Sequence, residues 1–133
     1  MTIVVDSSVL VALTSDAGPV GQWAERLLAD EYLFAPHLAL VEATNILRRL
    51  ELAGKLERLE AASAAADLVA LEIQLLPFAP FADRVWQLRA NLTSYDAVYV
   101  AIAEQFDMPL ATLDRKLAES PGPQCRFLLP AKS

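Results

Sequence analysis

The sequence predicts an α/β fold of three layers, α/β/α, with a mainly parallel central sheet of about five short strands flanked by helices. Three observations predict it. Short apolar runs alternate along the chain with longer helical patterns, which is the order produced by βαβ units. The length of 133 residues suits one compact domain over 1–133 and leaves no room for a second core. A hydrophobic fraction of 55% is enough to bury a substantial interior and is foreign to disordered chains.

Ile3-Val4-Val5 reads as the first strand, near 2–5, and Ser7 or Ser8 is suited to cap a short helix through Val9 to Leu13. A turn at Asp16-Ala17-Gly18-Pro19 comes next, with Pro19 placed to open a second helix reaching about Asp30. Tyr32 to Ala35 is the second strand, closed by Pro36, and the next helix runs from about Leu38 to Ala53. Gly54 there supplies the left-handed residue that ends it. The alanine-rich stretch around Ala61 to Ala70 belongs to a helix over about Glu57 to Leu71, alanine being the best helix former. Ile73 to Leu76 is the third strand. Phe81 to Asn91 and Tyr95 to Asp107 read as helices, the latter apolar all round over Ala97 to Ala103 and hence buried. Leu110 to Thr112 forms a short strand, Asp114 to Leu117 a turn, and Arg126 to Leu129 the last strand.

Composition narrows the chemistry. A net charge of −6 is the opposite of the basic footprint needed to hold nucleic acid by bulk charge, so any such contact is local or metal-assisted. One cysteine, Cys125, excludes an internal disulfide framework and a cysteine-rich zinc site; one histidine, His37, excludes histidine-rich metal chemistry. Oxygen ligands remain. The amino terminus meets Asp6 after three apolar residues and does not read as a secretory signal. No apolar run approaches the roughly 20 residues that span a bilayer. The expectation is a soluble, cytoplasmic protein.

In a parallel α/β sheet the edge that binds ligands is the one where strands end and helices begin. Asp6 follows the first strand and Asp114 the short strand at 110–112. Glu42 lies in the early turns of the helix after the second strand, and Asp96 opens the helix after Thr93-Ser94. All four acids are expected at that edge. Each has a plainer alternative. Thr93-Ser94-Tyr95-Asp96 resembles a capping box, Asp6 could cap the helix after it, Asp114 could cap its own turn, and Glu42 could be an ordinary solvated side chain. Against the last, Glu42 sits among Leu38, Leu40, Val41, Ala43 and Ile46, on the apolar half of its helix.

Four carboxylates at one place repel one another, and a hard divalent cation resolves the conflict. Mg²⁺ takes a few carboxylates plus waters, and Mn²⁺ accepts similar ligands. Such an ion orients a water, lowers its pKa and stabilises the departing oxygen of a phosphodiester, so phosphodiester hydrolysis is the natural reaction. The metal also inverts the local field, which lets an acidic protein approach an anionic backbone.

Four segments then carry a resemblance that covers essentially the whole chain in order. They are Ile3-Val4-Val5-Asp6-Ser7-Ser8-Val9-Leu10, Val41-Glu42-Ala43-Thr44-Asn45-Ile46-Leu47-Arg48-Arg49, Ser94-Tyr95-Asp96 through Ala103, and Leu110-Ala111-Thr112-Leu113-Asp114-Arg115-Lys116-Leu117. Together they resemble the four motifs of PIN-domain nucleases, specifically the VapC toxins of bacterial toxin–antitoxin pairs. The resemblance implies a PIN-like fold, endonucleolytic cleavage of RNA, and Asp6 and Asp96 as principal Mg²⁺ ligands. Glu42 and Asp114 would complete the pocket directly or through water, with Ser7 and Thr112 as supporting hydrogen-bonders. It also implies a homodimer and a complex with a cognate VapB antitoxin whose basic segment covers the site. Leu113 between Thr112 and Asp114 leaves the direct metal contact of Asp114 open.

Arg48, Arg49, Arg84, Arg89, Arg115 and Lys116 are the available phosphate grips. Arg115 and Lys116 stand nearest an acid, and a solvated helix face suits most of the others. Trp23 and Trp86 lie in helical apolar patterns and read as core or dimer interface rather than as platforms for bases. Two competing readings are a phosphoacceptor receiver domain and a catalytically silent PIN-like module that only binds a partner. The receiver needs paired acids after the first strand and an Asp ending the middle one, whereas here one Asp follows the first strand and Ile73 to Leu76 runs into Pro77. The silent module would use the acids as caps alone.

Overall fold

All five expected strands form, and every pairing among them is parallel. The computed structural model describes residues 1–132. In it β1 (Thr2–Val5) lies at the centre of a sheet ordered β3-β2-β1-β4-β5, with β2 (Tyr32–Pro36), β3 (Ile73–Leu76), β4 (Leu110–Ala111) and β5 (Phe127–Leu128). Register runs Val4 to Phe34 and to Leu110 on either side of β1, Pro36 to Leu76, and Leu110 to Phe127. A central parallel strand is covered on both faces, and Ile3, Val4 and Val5 are accordingly fully buried.

Helices α1 (Ser7–Ser15), α2 (Pro19–Leu28), α3 (Leu38–Leu52) and α4 (Arg58–Ala70) pack on one another. Helix α6 (Ser94–Gln105) lies against β1, β2 and β4 and carries α5 (Ala82–Gln87) beside it, giving the three layers α/β/α. Every residue of Ala97–Ala103 is buried, as the all-round apolar pattern predicts. Gly54 has φ +75° and closes α3 where expected. No helix among the described residues is long and apolar enough to cross a membrane.

The local differences have local causes. The helix expected over 81–91 is regular only over Ala82–Gln87. It opens with a 3₁₀ turn at Ala79–Phe81, and beyond Gln87 the chain tightens, Leu88 N–H donating to both Arg84 O and Val85 O. Arg89 and Asn91 N–H likewise donate three residues back, to Trp86 O and Leu88 O, so the α-helical ladder gives way to tight turns with Leu88 and Leu92 both buried. The turn expected at Asp114 to Leu117 is instead a short helix, α7 (Arg115–Glu119), because Asp114 caps it. The α1 cap is Asp6, with Ser7 already helical, rather than Ser7 or Ser8. The two last strands are each shorter than 110–112 and 126–129.

What matters for function is the path of the chain. It steps outward from β1 to β2 and β3, then returns to place β4 on the other side of β1. The carboxyl ends of β1 and β4 therefore flank the point where the order of strands reverses, the crevice used for ligands in open α/β sheets.

Candidate active site

Asp6 is the first residue beyond β1. Its backbone is extended, at φ −86° and ψ 170°, and its N–H donates to Ala111 O at 3.1 Å, so the ends of β1 and β4 are joined at the acid itself. One carboxylate oxygen, Oδ1, accepts from Val9 N at 3.1 Å and from Ser8 Oγ at 2.6 Å. The other, Oδ2, accepts from the Thr112 hydroxyl. Thr112 is fully buried just past β4, and its Oγ1 also accepts from Asp114 N at 3.0 Å. The Ser8 hydroxyl works in the same way from the other side, accepting from Leu113 N at 3.2 Å. Two hydroxyls thus each face Asp6 and a backbone N–H of the β4–α7 connection, and they tie the first acid to the loop that carries the last.

Asp114 is exposed and caps α7, its Oδ1 accepting from Lys116 N at 2.9 Å and Leu117 N at 3.2 Å. Asp96 is the third residue of α6 and half-buried. Its N–H donates to Thr93 Oγ1 at 3.2 Å, one half of a capping box. The reciprocal bond from the Thr93 N–H to the Asp96 carboxylate is absent among the described residues, so the cap does not occupy that carboxylate. Glu42 lies half-buried in the second turn of α3, and its Oε1 accepts from the Tyr99 hydroxyl at 2.6 Å. The capping alternatives for Asp6 and Asp114 are therefore correct as geometry, and both side chains remain at the ligand-binding edge.

Electrostatics link the four. Burial holds the Asp6 carboxyl above the ordinary carboxylate range, with the hydrogen bonds from Ser8, Thr112 and Val9 pulling the other way. Glu42 is raised by burial, then by the charges of Asp96 and Asp6, while Tyr99 opposes the shift. Asp96 is raised by burial and by Asp114, with the Thr93 hydroxyl opposing. Each acid thus feels the next. Burial, followed by the bond to Glu42, keeps the Tyr99 phenol protonated far above its usual range.

Among the described residues, no three acidic, histidine or cysteine side chains stand close enough together to hold one metal ion. The donor set nonetheless suits a hard divalent cation, since every donor is a carboxylate or hydroxyl oxygen. Mg²⁺ characteristically takes one or two carboxylates and keeps several of its waters. A cation there offsets the burial that raises Asp6, Glu42 and Asp96 and the neighbouring charge that raises the last two further.

Of the basic residues, Arg115 donates to the Pro130 carbonyl, while Lys116 is exposed. Arg84 forms a two-pronged ion pair with Glu104, Nε to Oε1 at 2.6 Å and Nη2 to Oε2 at 3.1 Å, and Arg89 stacks on Trp86 at 4.4 Å. Trp86 is exposed, contrary to a place in the core, whereas Trp23 packs partly buried against the core. Cys125 is half-buried with its thiol pushed up to about 11 by burial, which makes it a poor nucleophile. Beside the acids lies an apolar hollow of about 510 Å³ between the starts of α3 and α6, lined in part by Leu38, Val41, Phe78 and Tyr95. Three of these residues, Val41, Phe78 and Tyr95, are more than half exposed.

Ser8 and Tyr99 are the functional neighbours that pattern reading leaves out. Tyr99 had a signal, since a tyrosine in an otherwise apolar buried helix needs a partner for its hydroxyl. Ser8 had none beyond its place two residues after Asp6.

The chain matches the family model described as the PIN domain over residues 3–122. It is similar to ribonuclease VapC9 of Mycobacterium tuberculosis, 39% identical over 124 residues that cover 92% of this chain and 94% of that protein. It is also similar to ribonuclease VapC1 of the same organism, 36% identical over 127 residues, 95% of this chain and 96% of the other. Among solved structures it resembles PAE2754 from Pyrobaculum aerophilum, with a TM-score of 0.68, 26% identity and coverage of 96% and 83%. In fold alone it resembles VapBC2 from Rickettsia felis bound to a DNA fragment from their promoter, with a TM-score of 0.68, 14% identity and coverage of 97% and 98%.

Proposed function

Because the chain belongs to the PIN-domain family, we infer that it is the toxin of a type II toxin–antitoxin pair, an endoribonuclease hydrolysing RNA phosphodiester bonds with Mg²⁺ at Asp6, Glu42, Asp96 and Asp114. The observation that carries this reading is the convergence on the strand-order reversal: Asp6, held from both sides by Ser8 and Thr112, meets the connection that bears Asp114.

Asp6 and Asp96 would be the principal ligands, with Glu42 and Asp114 completing the set directly or through water. A bound Mg²⁺, or Mn²⁺ in its place, supplies a water of lowered pKa and offsets the charge of the phosphodiester. The protein's own contribution is placement. Three hydrogen bonds to Asp6 fix its carboxylate before any ligand arrives, so no reorganisation is needed at the moment of reaction. Ser7 opens α1 next to Asp6, and its hydroxyl lies beside the Tyr99 phenol. Lys116, exposed and two residues from Asp114, is the better phosphate contact, Arg115 being engaged by Pro130.

The same reading includes a homodimer, a cognate VapB-type antitoxin covering the site, a place in the cytoplasm beside the RNA, and one domain over 1–133. The exposed apolar residues Val41, Phe78 and Tyr95, next to the acids, support a protein partner at this edge.

A silent partner-binding module is the second reading, favoured by the caps that Asp6 and Asp114 form. Asparagine caps a helix as well as aspartate does but is a poor ligand for Mg²⁺. Asp96 takes part in its cap only through its backbone N–H, so Asp96→Asn should fold and melt at least as high as the wild type in chelator, yet lose Mg²⁺-dependent cleavage of total cellular RNA. Cleavage that chelator does not stop, or that survives in folded Asp96→Asn, refutes the assigned site.

A further inference from the structure

We propose that Tyr99 is a positioning residue for Glu42: its buried hydroxyl pins one carboxylate oxygen and so presents the other to the acidic pocket. The inference rests on the ribonuclease reading of the site.

Helix α6 is apolar and buried over Ala97–Ala103, and Tyr99 in the middle of that stretch is 2% exposed. Phenylalanine would fill the space without bringing a polar atom inside. A tyrosine there is tolerated only if its hydroxyl is satisfied, and the partner is a glutamate on another helix, 57 positions away in the chain. At 2.6 Å the bond has the length of a charge-assisted O–H···O⁻ contact.

Glu42 needs such a tether. It is half-buried near two like charges, Asp96 and Asp6, and a glutamate on a helix surface has enough free torsions to swing into water away from them. No side chain or backbone N–H among the described residues donates to Glu42 Oε2, so the tether leaves that oxygen available. Tyr99 also stands one turn beyond Asp96 on α6, and the Ser7 hydroxyl next to Asp6 lies beside its phenol. Tyr99 therefore bonds Glu42 directly, shares its helix with Asp96 and neighbours the residue that follows Asp6. A tyrosine that merely satisfied itself in the core would need none of this adjacency.

The test is a mutant cycle of Tyr99→Phe and Glu42→Gln, read by Mn²⁺ binding to the purified protein and by steady-state RNA cleavage. Removing a partner of a ligand commonly costs about 10- to 100-fold in metal affinity or activity. Tyr99→Phe should weaken Mn²⁺ by about 10-fold and lower kcat by a similar factor, with KM for RNA nearly unchanged. In the Glu42→Gln background the same change should have no further effect. An equal loss in both backgrounds, a loss confined to KM, or no loss in the wild-type background overturns the proposal. Should Tyr99→Phe not fold, the wild-type Tyr99 hydroxyl proton decides by NMR: a slowly exchanging downfield resonance that moves upfield in Glu42→Gln supports the tether, and its absence overturns it. Wild-type protein that binds Mn²⁺ but cuts no RNA would sink the ribonuclease reading alone, since the Mn²⁺ arm of the cycle still decides the role of Tyr99.

Discussion

Thr112→Val is the substitution that tests the bracket around Asp6 most directly. Valine keeps the shape of threonine and removes only the hydroxyl, which in this protein donates to Asp6 Oδ2 and accepts from Asp114 N at 3.0 Å. The two losses are unequal. Asp114 is exposed, and its N–H can turn to water. Asp6 is 8% exposed and cannot replace the donor. A hydrogen bond to a charged group contributes about 1.5–3 kcal/mol, so the loss should be about 2–3 kcal/mol, nearly all of it on Asp6. At about 2.1 cal/mol/K per residue, 133 residues give an unfolding entropy of about 0.28 kcal/mol/K, and the Tm of metal-free protein should fall by about 7–11 °C. Thr112→Ser keeps the hydroxyl and sheds one methyl, which costs about 1 kcal/mol and about 3–4 °C. The assay is thermal denaturation tracked by circular dichroism, in chelator. If the serine variant melts below the valine variant, packing rather than hydrogen bonding dominates at residue 112 and the bracket does not hold Asp6.

Two further perturbations read other parts of the molecule. Asp6, Glu42 and Asp96 all have raised folded-state values, so the folded protein holds their protons more tightly than the unfolded chain does. That stabilisation is complete below the unfolded values near 4 and is lost as pH rises through the folded ones. Metal-free protein should therefore melt higher at about pH 5 than at pH 7.5, and excess Mg²⁺ should narrow the gap; a Tm that climbs with pH in chelator contradicts the burial-raised values of these three acids. Glu104→Ala removes the carboxylate that accepts from Arg84 and from Gln124 N at 2.7 Å, costing about 1–3 kcal/mol in urea denaturation and opening residues 120–125 to proteolysis. Unchanged protease resistance would show that this ion pair does not hold the C-terminal connection down.

The strands and most helices could be read locally because their signals are local. Three β-branched residues, Ile3-Val4-Val5, need no distant partner to be recognised as strand, and the apolar run after Asp96 announces a buried helix by composition alone. The four acids were legible for a different reason: each stands just after a strand or at the start of a helix, and parallel topology sends all such positions to one edge. What escaped were pairings between distant side chains. Tyr99 with Glu42 and Ser8 with Leu113 span 57 and 105 positions, and nothing local to either partner encodes the other. The α5 region escaped because the change to three-residue hydrogen bonding after Gln87 leaves Leu88 and Leu92 at a spacing that a continued helix would also bury.

The strand order carries a temporal consequence as well as a spatial one. Asp6 leads the chain, but the hydroxyl that completes its setting arrives 106 residues later, and β4 in turn pairs with β5. A chain emerging from the ribosome offers its first acid the local partners Ser8 and Val9 at once, but the Thr112 hydroxyl only after more than a hundred further residues have been made. The setting of Asp6 is therefore completed late, when β4 docks beside β1 and brings Thr112 with it.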